Sequence, residues 1–354
     1  MARASRKRAP AASTPRCSIY RWDLDKTYLK SEFDSVRQLV RIPFEKPEDK
    51  VAAPGVVALI RSLRAVGTAA GLDVRVYFLS ASPPQIGKAI KDKLALDGIV
   101  YDGIVFKDQL HHLVRGKFRN LREHIGFKLA ELLKGRREQS AHAREFLFGD
   151  DWESDPLIYS LYADVVAGRV SEDDLRAVLA QIPVDPQQIE DVIAIQRDIV
   201  RVDAVVRIYI NLERRTPPAN FRAYGPRLVP TFNYFQTAVC LFEDGELTVA
   251  TVAKVAESLI EGSGYTPERL ANSLADVSRR GHITAATTAA LWQYLAAQRL
   301  LPPARAQRRR RRPWWKTLTA AVAEWMRSPN GKPNVTPPPQ LDYRQLASEL
   351  RGAK

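Results

Sequence analysis

The stretch SIYRWD at residues 18–23 predicts a short strand that ends at Asp23. A second, strongly apolar stretch, VRVYFL at residues 74–79, predicts another strand that leads directly into Ser80. Between them, the pattern of residues 54–66 predicts a helix with a proline in its first turn. A strand, a helix and a second strand in this order form parallel pairs with right-handed crossovers. The opening part of the chain therefore predicts an α/β fold.

The same alternation continues further along the chain. It predicts helices over 83–94, 117–133 and 156–166, and strands within 98–106, 145–148 and 204–210. Repeated units of this kind build a doubly wound, mostly parallel sheet of the Rossmann type. Ligands of such sheets bind at the carboxyl ends of the strands, so functional residues are expected directly after the predicted strands.

Composition divides the chain into one α/β domain and several appendages. The α/β domain contains an acidic insertion that predicts a pair of helices, and a helical extension follows the domain. The predicted segments are a disordered basic arm at 1–16, the α/β domain at 17–240 with its insertion at 168–201, the helical extension at 241–300, and a basic, Trp-rich tail with a Pro-rich linker at 301–354.

The net charge of +14 is concentrated in two appendages. Residues 1–16 carry five basic groups and residues 305–316 carry seven, and neither segment contains an acid. The rest of the chain is close to neutral. The excess of basic residues therefore bears on the binding partners of the two appendages and not on the core of the protein.

Hydropathy and cysteine content predict the compartment. No apolar run approaches the roughly 20 residues that a membrane span needs. The basic N-terminus is not followed by a hydrophobic stretch, which argues against a secretory signal. Cys17 and Cys240 lie in apolar surroundings, which favours buried thiols in a reducing environment. We therefore expect a cytoplasmic protein and leave peripheral membrane contact open.

Two carboxylates follow the first predicted strand, in the order Asp23-Leu24-Asp25-Lys26-Thr27. Asp23, at the end of the strand, suits a nucleophile that takes up a phosphoryl group. Asp25, two residues further on, suits a general acid for the leaving oxygen and then a general base for water. Thr27 is expected to hold the turn by bonding to the backbone. Taken alone, the same pattern also fits a surface turn or a plain cation site.

Three residues are candidates for contacts with a phosphoryl group. The Ser80 hydroxyl and the backbone N–H groups that follow it, from Ala81 onward, suit binding of phosphoryl oxygens, although Ser80 alone is equally a helix cap. Lys128, in a predicted helix, suits stabilisation of charge in the transition state. Lys117 and Lys134 compete for the lysine role, and only position favours Lys128.

The segment Gly149-Asp150-Asp151 follows another apolar strand, and Asp155-Pro156 opens the next helix. Mg²⁺ prefers a few carboxylates together with water and substrate oxygens. Asp150, Asp23 and the backbone carbonyl of Asp25 would form such a site, supported by Asp151 and Asp155 or with one of them as a further ligand. Asp155 is also a plain helix cap.

Together these segments resemble the haloacid dehalogenase superfamily. Within it they are most similar to the catalytic domain of the actin-patch-associated phosphatidate phosphatases. The resemblance covers about residues 17–240 and rests on four patterns. These are Asp-x-Asp-x-Thr at 23–27, Ser-x-Ser-Pro at 80–83, the helical Lys128, and Gly-Asp-x-x-x-x-Asp-Pro-x-Ile-Tyr at 149–159.

The resemblance implies a haloacid dehalogenase-like fold and a Mg²⁺-dependent phosphatase that acts on a phosphorylated substrate. By the resemblance, Asp23 is the nucleophile, Asp25 the acid and base, Asp150 a metal ligand, and Ser80 and Lys128 contact phosphate. It also implies phosphatidate at a membrane surface as the first substrate to consider. Four positions depart from the branch: Lys26, Ala81, Phe127 and Leu157 replace Asp, Asn, His and Glu.

The tail combines an arginine run with regularly spaced aromatic residues. Trp314, Trp315, Leu318, Val322, Trp325 and Met326 fall on one helical face. A basic, Trp-rich helix at 305–326 suits an anionic membrane surface. A helix docked on the protein, with its arginines solvated or in nonspecific contact with RNA, fits equally, although nucleic acid is not the expected partner.

Three functions follow from these observations. The first is Mg²⁺-dependent hydrolysis of a phosphomonoester, with phosphatidate as the leading candidate. The second keeps the reaction but takes a soluble phosphoester or a phosphoprotein as substrate. The third is a non-catalytic adaptor that binds a membrane or RNA and retains a relic phosphatase domain.

Overall fold

The computed structural model describes residues 16–29, 50–81, 84–107, 124–152, 154–182, 184–303 and 341–352. Several sequence-based predictions lie outside the described residues. They are the disordered arm before residue 16, the part of the predicted helix before His124, the Pro-rich linker, and the basic, Trp-rich segment at 305–326.

A single six-stranded sheet organises the described residues. Every strand runs parallel to its neighbours, in the order β3-β2-β1-β4-β5-β6. The strands are β1 (Cys17–Asp23), β2 (Asp73–Ser80), β3 (Gly103–Phe106), β4 (Arg144–Asp150), β5 (Val205–Asn211) and β6 (Leu228–Thr231). This order reverses direction between β1 and β4, and the carboxyl ends of those two strands bound the crevice in which doubly wound sheets bind ligands.

Helices cover both faces of the sheet, as the strand–helix alternation predicts. The first face carries α1 (Val56–Ala69), α2 (Gly87–Leu96), α7 (Tyr234–Glu243), α8 (Val249–Ser263), α9 (Pro267–Arg279) and α10 (Ala285–Ala297). The second face carries α3 (His124–Arg137), α4 (Asp155–Val166), α5 (Glu172–Gln181), α6 (Pro186–Asp198) and α11 (Tyr343–Gly352). The architecture is therefore a three-layer α/β fold of the Rossmann type, as predicted.

Aromatic rings line the first face of the central strands. The rings of Trp22 and Phe148 stack with centroids 3.7 Å apart, and Tyr209 stacks on Phe148 at 5.2 Å. The three residues lie on β1, β4 and β5. Parallel strands buried on both faces carry such apolar side chains along their length. This ladder fixes the central strands immediately before their carboxyl ends.

A buried ionic cluster ties the same strands together on the second face. Glu145 on β4 accepts hydrogen bonds from Arg21 on β1 at 3.2 Å, from Arg136 on α3 at 3.1 Å and from the hydroxyl of Tyr162 on α4 at 2.6 Å. Burial alone would raise the pKa of Glu145, but the two guanidinium groups hold that pKa below its ordinary value. The cluster links both central strands to the helices beneath them.

Two elements begin later than the sequence-based prediction places them, and one strand was not predicted. The helix predicted over 83–94 begins later, because a short 3₁₀ turn at Pro84–Ile86 precedes α2. The strand predicted within 98–106 is confined to its last four residues. β6 was not predicted, because four residues with a proline among them give a weak strand pattern.

The helical extension shares its core with the sheet. Val252, Leu259, Leu270 and Leu291 belong to the same buried cluster as the aromatic ladder. The insertion behaves in the same way on the other face, where Val192 and Ile193 of α6 are buried in the core. The insertion is therefore part of the helical layer on this face of the sheet.

None of the helices in the described parts of the chain has both the length and the apolar composition that crossing a membrane requires.

Candidate functional site

Asp23 and Asp150 occupy the ends of the two central strands. The strands pair in parallel, with Trp22 opposite Phe148, so both carboxylates reach the crevice between β1 and β4. Asp155, the first residue of α4, joins them. One carboxylate oxygen from each of the three residues lies within 4.8 Å of the others, and all three residues are completely buried. The fold therefore brings together three acids that lie up to 132 positions apart in the chain.

Lys128 connects two of these acids. Its ammonium nitrogen lies 2.8 Å from Asp23 Oδ1 and 2.7 Å from Asp155 Oδ1, and the lysine is itself completely buried. Helix α3 carries this lysine to the site from the second face of the sheet. Of the two lysines that compete with Lys128 in the sequence, Lys134 is excluded from the site because it lies on the surface and pairs with Glu131. Lys117 lies outside the described residues.

Gly149 makes room for Asp155. The backbone N–H of Asp150 donates a hydrogen bond to Asp155 Oδ2 at 3.3 Å. A Cβ atom on Gly149 would lie 2.4 Å from that oxygen and 2.8 Å from the ring of Tyr159. Only glycine therefore allows the Asp155 carboxylate to reach both the backbone of β4 and Lys128.

Asp25 lies next to the buried acids and is half-buried. Its Oδ2 accepts a hydrogen bond from the Ser80 hydroxyl at 2.8 Å, so the end of β2 orients this carboxylate. Ser80 and Ala81 are buried, and their role as phosphate contacts stays a prediction. Lys26 follows with a left-handed backbone, φ +60°, which turns the chain directly after Asp25.

A hydrogen bond from Tyr234 holds the loop after β1. Thr27 is completely buried, and its backbone carbonyl accepts a hydrogen bond from the Tyr234 hydroxyl at 2.6 Å. Burial raises the pKa of Tyr234 well above its ordinary value, with smaller contributions from Glu213, Asp150 and Asp23. Tyr234 therefore remains a neutral hydrogen-bond donor. Thr27 lies in the turn, but its buried hydroxyl has no hydrogen-bond partner among the described residues, so the predicted side-chain bond to the backbone is not found. The turn is supported instead by Tyr234 from α7.

Asp151 connects two loops and is not part of the acidic group. Its carboxylate accepts hydrogen bonds from the backbone N–H groups of Arg214, at 2.9 Å, and Thr216, at 3.1 Å. The next residue, Trp152, donates its backbone N–H to Asp150 Oδ1 at 2.6 Å. The chain after β4 is thereby fixed both to the loop after β5 and to the buried Asp150.

The charge balance of the buried group fits a divalent cation. With Asp23, Asp150 and Asp155 ionised and Lys128 protonated, the group carries a net charge of about −2 in a region closed to water, which is costly without a further cation. Carboxylate oxygens are the ligands that Mg²⁺ prefers. The structure places the Asp155 carboxylate in this group, as a further ligand of the kind that the sequence-based prediction allowed for Asp151 or Asp155. The proposed role of the Asp25 backbone carbonyl stays a prediction.

A cavity of about 220 Å³ opens at the carboxyl ends of β5 and β6. Asn211 and Tyr234 line it, together with Arg215 and the rings of Phe232 and Tyr265. Asn211 is directly opposite Asp150 in the sheet, so this cavity lies beside the buried acids. Neither the buried acids nor Lys128 is among the residues that line it.

Sequence reasoning missed Trp152, Tyr234 and Arg214. An aromatic residue directly after the Asp150-Asp151 pair was a local signal for Trp152. No local signal exists for Tyr234, which reaches Thr27 across 207 positions of the chain. No family model matches this chain, and no curated protein or solved structure matches it either. The functional interpretation therefore rests on the geometry and chemistry of the site.

Proposed function

We propose that this protein is a Mg²⁺-dependent phosphatase of the haloacid dehalogenase type that hydrolyses a phosphomonoester through an aspartyl-phosphate. The observation that carries the proposal is the convergence of Asp23, Asp150, Asp155 and Lys128 where β1 and β4 end. A carboxylate nucleophile, a second carboxylate for proton transfer and nearby positive charge are the parts that phosphoryl transfer requires.

In the first step, an oxygen of Asp23 attacks phosphorus in line with the ester oxygen. The new bond forms as the bond from phosphorus to the leaving oxygen breaks, and Asp25 gives its proton to that oxygen. In the second step, Asp25 takes a proton from water as the water oxygen attacks phosphorus. The bond between phosphorus and the Asp23 oxygen breaks, which releases inorganic phosphate and the Asp23 carboxylate. Both carboxyl groups then return to their starting states. The hydrogen bond from Ser80 to Asp25 orients this carboxyl group for both transfers.

Lys128 positions the nucleophile and balances its charge. Its ammonium group bridges Asp23 and Asp155, so one Asp23 oxygen is engaged and the orientation of the other is fixed. Asp23, Asp150 and Asp155 would hold Mg²⁺, which when bound would offset negative charge on the phosphoryl oxygens. The buried ionic cluster and the aromatic ladder keep the two strand ends in register around this point.

A phosphatase assay with Mg²⁺ and with EDTA tests the proposal. We expect hydrolysis with Mg²⁺ only, and its loss in Asp23→Asn while circular dichroism and thermal unfolding report an intact fold. Asp198→Asn is the matched control, because that carboxylate is mostly exposed and lies at the end of α6. Full activity in Asp23→Asn would remove the nucleophile from the proposal.

Metal binding has a separate readout that does not depend on turnover. A ligand that binds only the folded protein stabilises it by RT ln(1 + [L]/Kd). We expect Mg²⁺ to raise the melting temperature of the wild type and to have a much smaller effect on Asp150→Asn. An equal Mg²⁺ response in both proteins would contradict the assignment of Asp150.

The substrate is tested by comparing phosphatidate vesicles with small phosphate esters. Phosphatidate is the candidate that the family resemblance implies, and a soluble phosphomonoester or a phosphoprotein is the alternative. Binding to vesicles or RNA that disappears on deletion of 305–326, without turnover of any ester, would instead favour the adaptor function.

A further inference from the structure

Three loops bring two cations to one aromatic ring at the mouth of the candidate site. Lys26 follows β1, Trp152 follows β4 and Arg214 follows β5. The ammonium nitrogen of Lys26 lies 3.8 Å from the centroid of the Trp152 ring, and the guanidinium carbon of Arg214 lies 4.9 Å from it. Both distances are within the range of cation–π attraction. The three side chains form what is called here the cationic rim.

The backbone around the rim is fixed by the site itself. Trp152 donates its N–H to Asp150, and Asp151 holds the backbone N–H groups of Arg214 and Thr216. Lys26 lies in the left-handed turn directly after Asp25. The positions of the two cations are thus set by the same segments that carry the buried acids.

Charge changes sign between the interior of the site and its rim. The buried group of Asp23, Asp150, Asp155 and Lys128 is acidic overall, whereas the rim carries two positive charges and reaches solvent. Trp152 is 36% exposed, and Arg214 is exposed. Among the residues that the structure describes, Arg214 forms no ion pair. Its guanidinium group is therefore held by an aromatic ring and a fixed backbone instead of by an acid.

In the proposed reaction, the transferring phosphoryl group lies against Asp23 and the buried Lys128. The leaving group then extends outward from the buried acids, past the rim. A guanidinium group binds carboxylate or phosphate oxygens through paired hydrogen bonds, and a ring that fixes its position lowers the entropy cost of that contact. A neutral leaving group gains nothing from two cations at this position.

We propose that Lys26, Trp152 and Arg214 form an anion clamp that binds a second anionic group, a carboxylate or a further phosphate, on the leaving-group part of the substrate. This inference rests on the proposed phosphatase function and specifies its substrate class. It favours soluble phosphomonoesters that carry a second anionic group on the leaving group. Phosphatidate is disfavoured because its diacylglycerol leaving group is neutral.

Two matched esters test the clamp. Glycerol 3-phosphate and 3-phosphoglycerate carry the same phosphate on a primary carbon but end in a hydroxymethyl group and a carboxylate. For the wild type we expect a higher kcat/KM with 3-phosphoglycerate. In Arg214→Ala and Trp152→Ala, the ratio of kcat/KM for 3-phosphoglycerate to that for glycerol 3-phosphate should fall about tenfold, because KM for 3-phosphoglycerate rises. A tenfold change is the size expected for loss of a charged hydrogen bond. Arg214→Lys should retain part of the preference.

Arg222→Ala is the matched control, since Arg222 is an exposed arginine in the 3₁₀ helix after β5. It should leave the ratio unchanged. Thermal unfolding of each variant checks the fold. Arg214→Ala is easier to interpret than Trp152→Ala because the Arg214 side chain is exposed. An unchanged ratio in a folded Arg214→Ala protein would overturn the clamp.

The remaining outcomes separate failure of the clamp from failure of the phosphatase. If no ester is hydrolysed, titration calorimetry with 3-phosphoglycerate decides. Binding that weakens in Arg214→Ala supports the clamp without the reaction, and no binding to the wild type overturns it. If only phosphatidate vesicles are hydrolysed and the effect of Arg214→Ala grows with their anionic lipid content, the phosphatase stands. The rim is then a membrane contact and the clamp is overturned.

Discussion

The ammonium nitrogen of Lys128 lies 2.8 Å from Asp23 Oδ1, in a contact completely closed to solvent. A lysine on the helix layer below the sheet and an aspartate at the end of the central strand thus form one buried ion pair, which Asp155 extends on the other side. These contacts connect β1, α3 and α4. Its removal should affect stability as well as activity.

Lys128→Met should abolish activity and lower the free energy of unfolding by about 3–5 kcal/mol, because it leaves buried carboxylates without their cation. Urea unfolding in EDTA measures this. Lys134→Met is the control, since Lys134 lies on the same helix but pairs with Glu131 on the surface, and its loss should have a much smaller effect. Equal unfolding curves for the two variants would show that the Lys128 contacts do not stabilise the fold.

Gly149→Ala should displace Asp155, because the new methyl group would lie 2.4 Å from its carboxylate oxygen. We expect a loss of about 1–3 kcal/mol in stability and a marked fall in activity. Gly262→Ala is the opposite case: this helical glycine has no atom within 4 Å of an added Cβ, and alanine should stabilise α8 by about 0.5 kcal/mol. Chemical denaturation of both variants provides the comparison. A Gly149→Ala protein with wild-type stability and activity would contradict the steric role.

Glu145→Gln should destabilise the protein by about 3–5 kcal/mol, because Arg21 and Arg136 then lose their shared buried carboxylate. The effect should also depend on pH. Since the folded protein holds the pKa of Glu145 below its ordinary value, this stabilisation is present above about pH 4.5 and is lost as the pH falls through the lowered pKa. Unfolding measured at several pH values tests both statements. Glu172→Gln, which removes ion pairs on the surface, should change little at any pH.

His282→Gln should make the stability of the folded protein depend less on pH in the acidic range. Burial lowers the pKa of His282 to about 4, with further contributions from Arg280 and Arg207, whereas the unfolded chain takes up this proton near pH 6.5. Between these values the unfolded state binds more protons, so the folded protein loses stability as the pH falls from about 6.5 to 4. Melting temperatures across this range should fall less in His282→Gln than in the wild type.

Local sequence was sufficient for most of the fold. Apolar runs of four to eight residues, each followed by a helix pattern, identified five of the six strands and the helices of both layers. The weak pattern of β6 explains its omission. It pairs with β5 over only four positions, and its strand character comes from that neighbour.

The residues of the candidate site could be predicted from the sequence only in part. Local sequence was enough to identify which residues follow the strand ends, and hence that Asp23 and Asp150 meet, because parallel strands present their carboxyl ends at one edge. The folded structure was needed to show that Asp155 rather than Asp151 joins them, that Lys128 bridges Asp23 and Asp155, and that two cations contact the Trp152 ring. These contacts depend on how helices and loops pack on the sheet, and on distances between side chains that spacing along the chain does not specify.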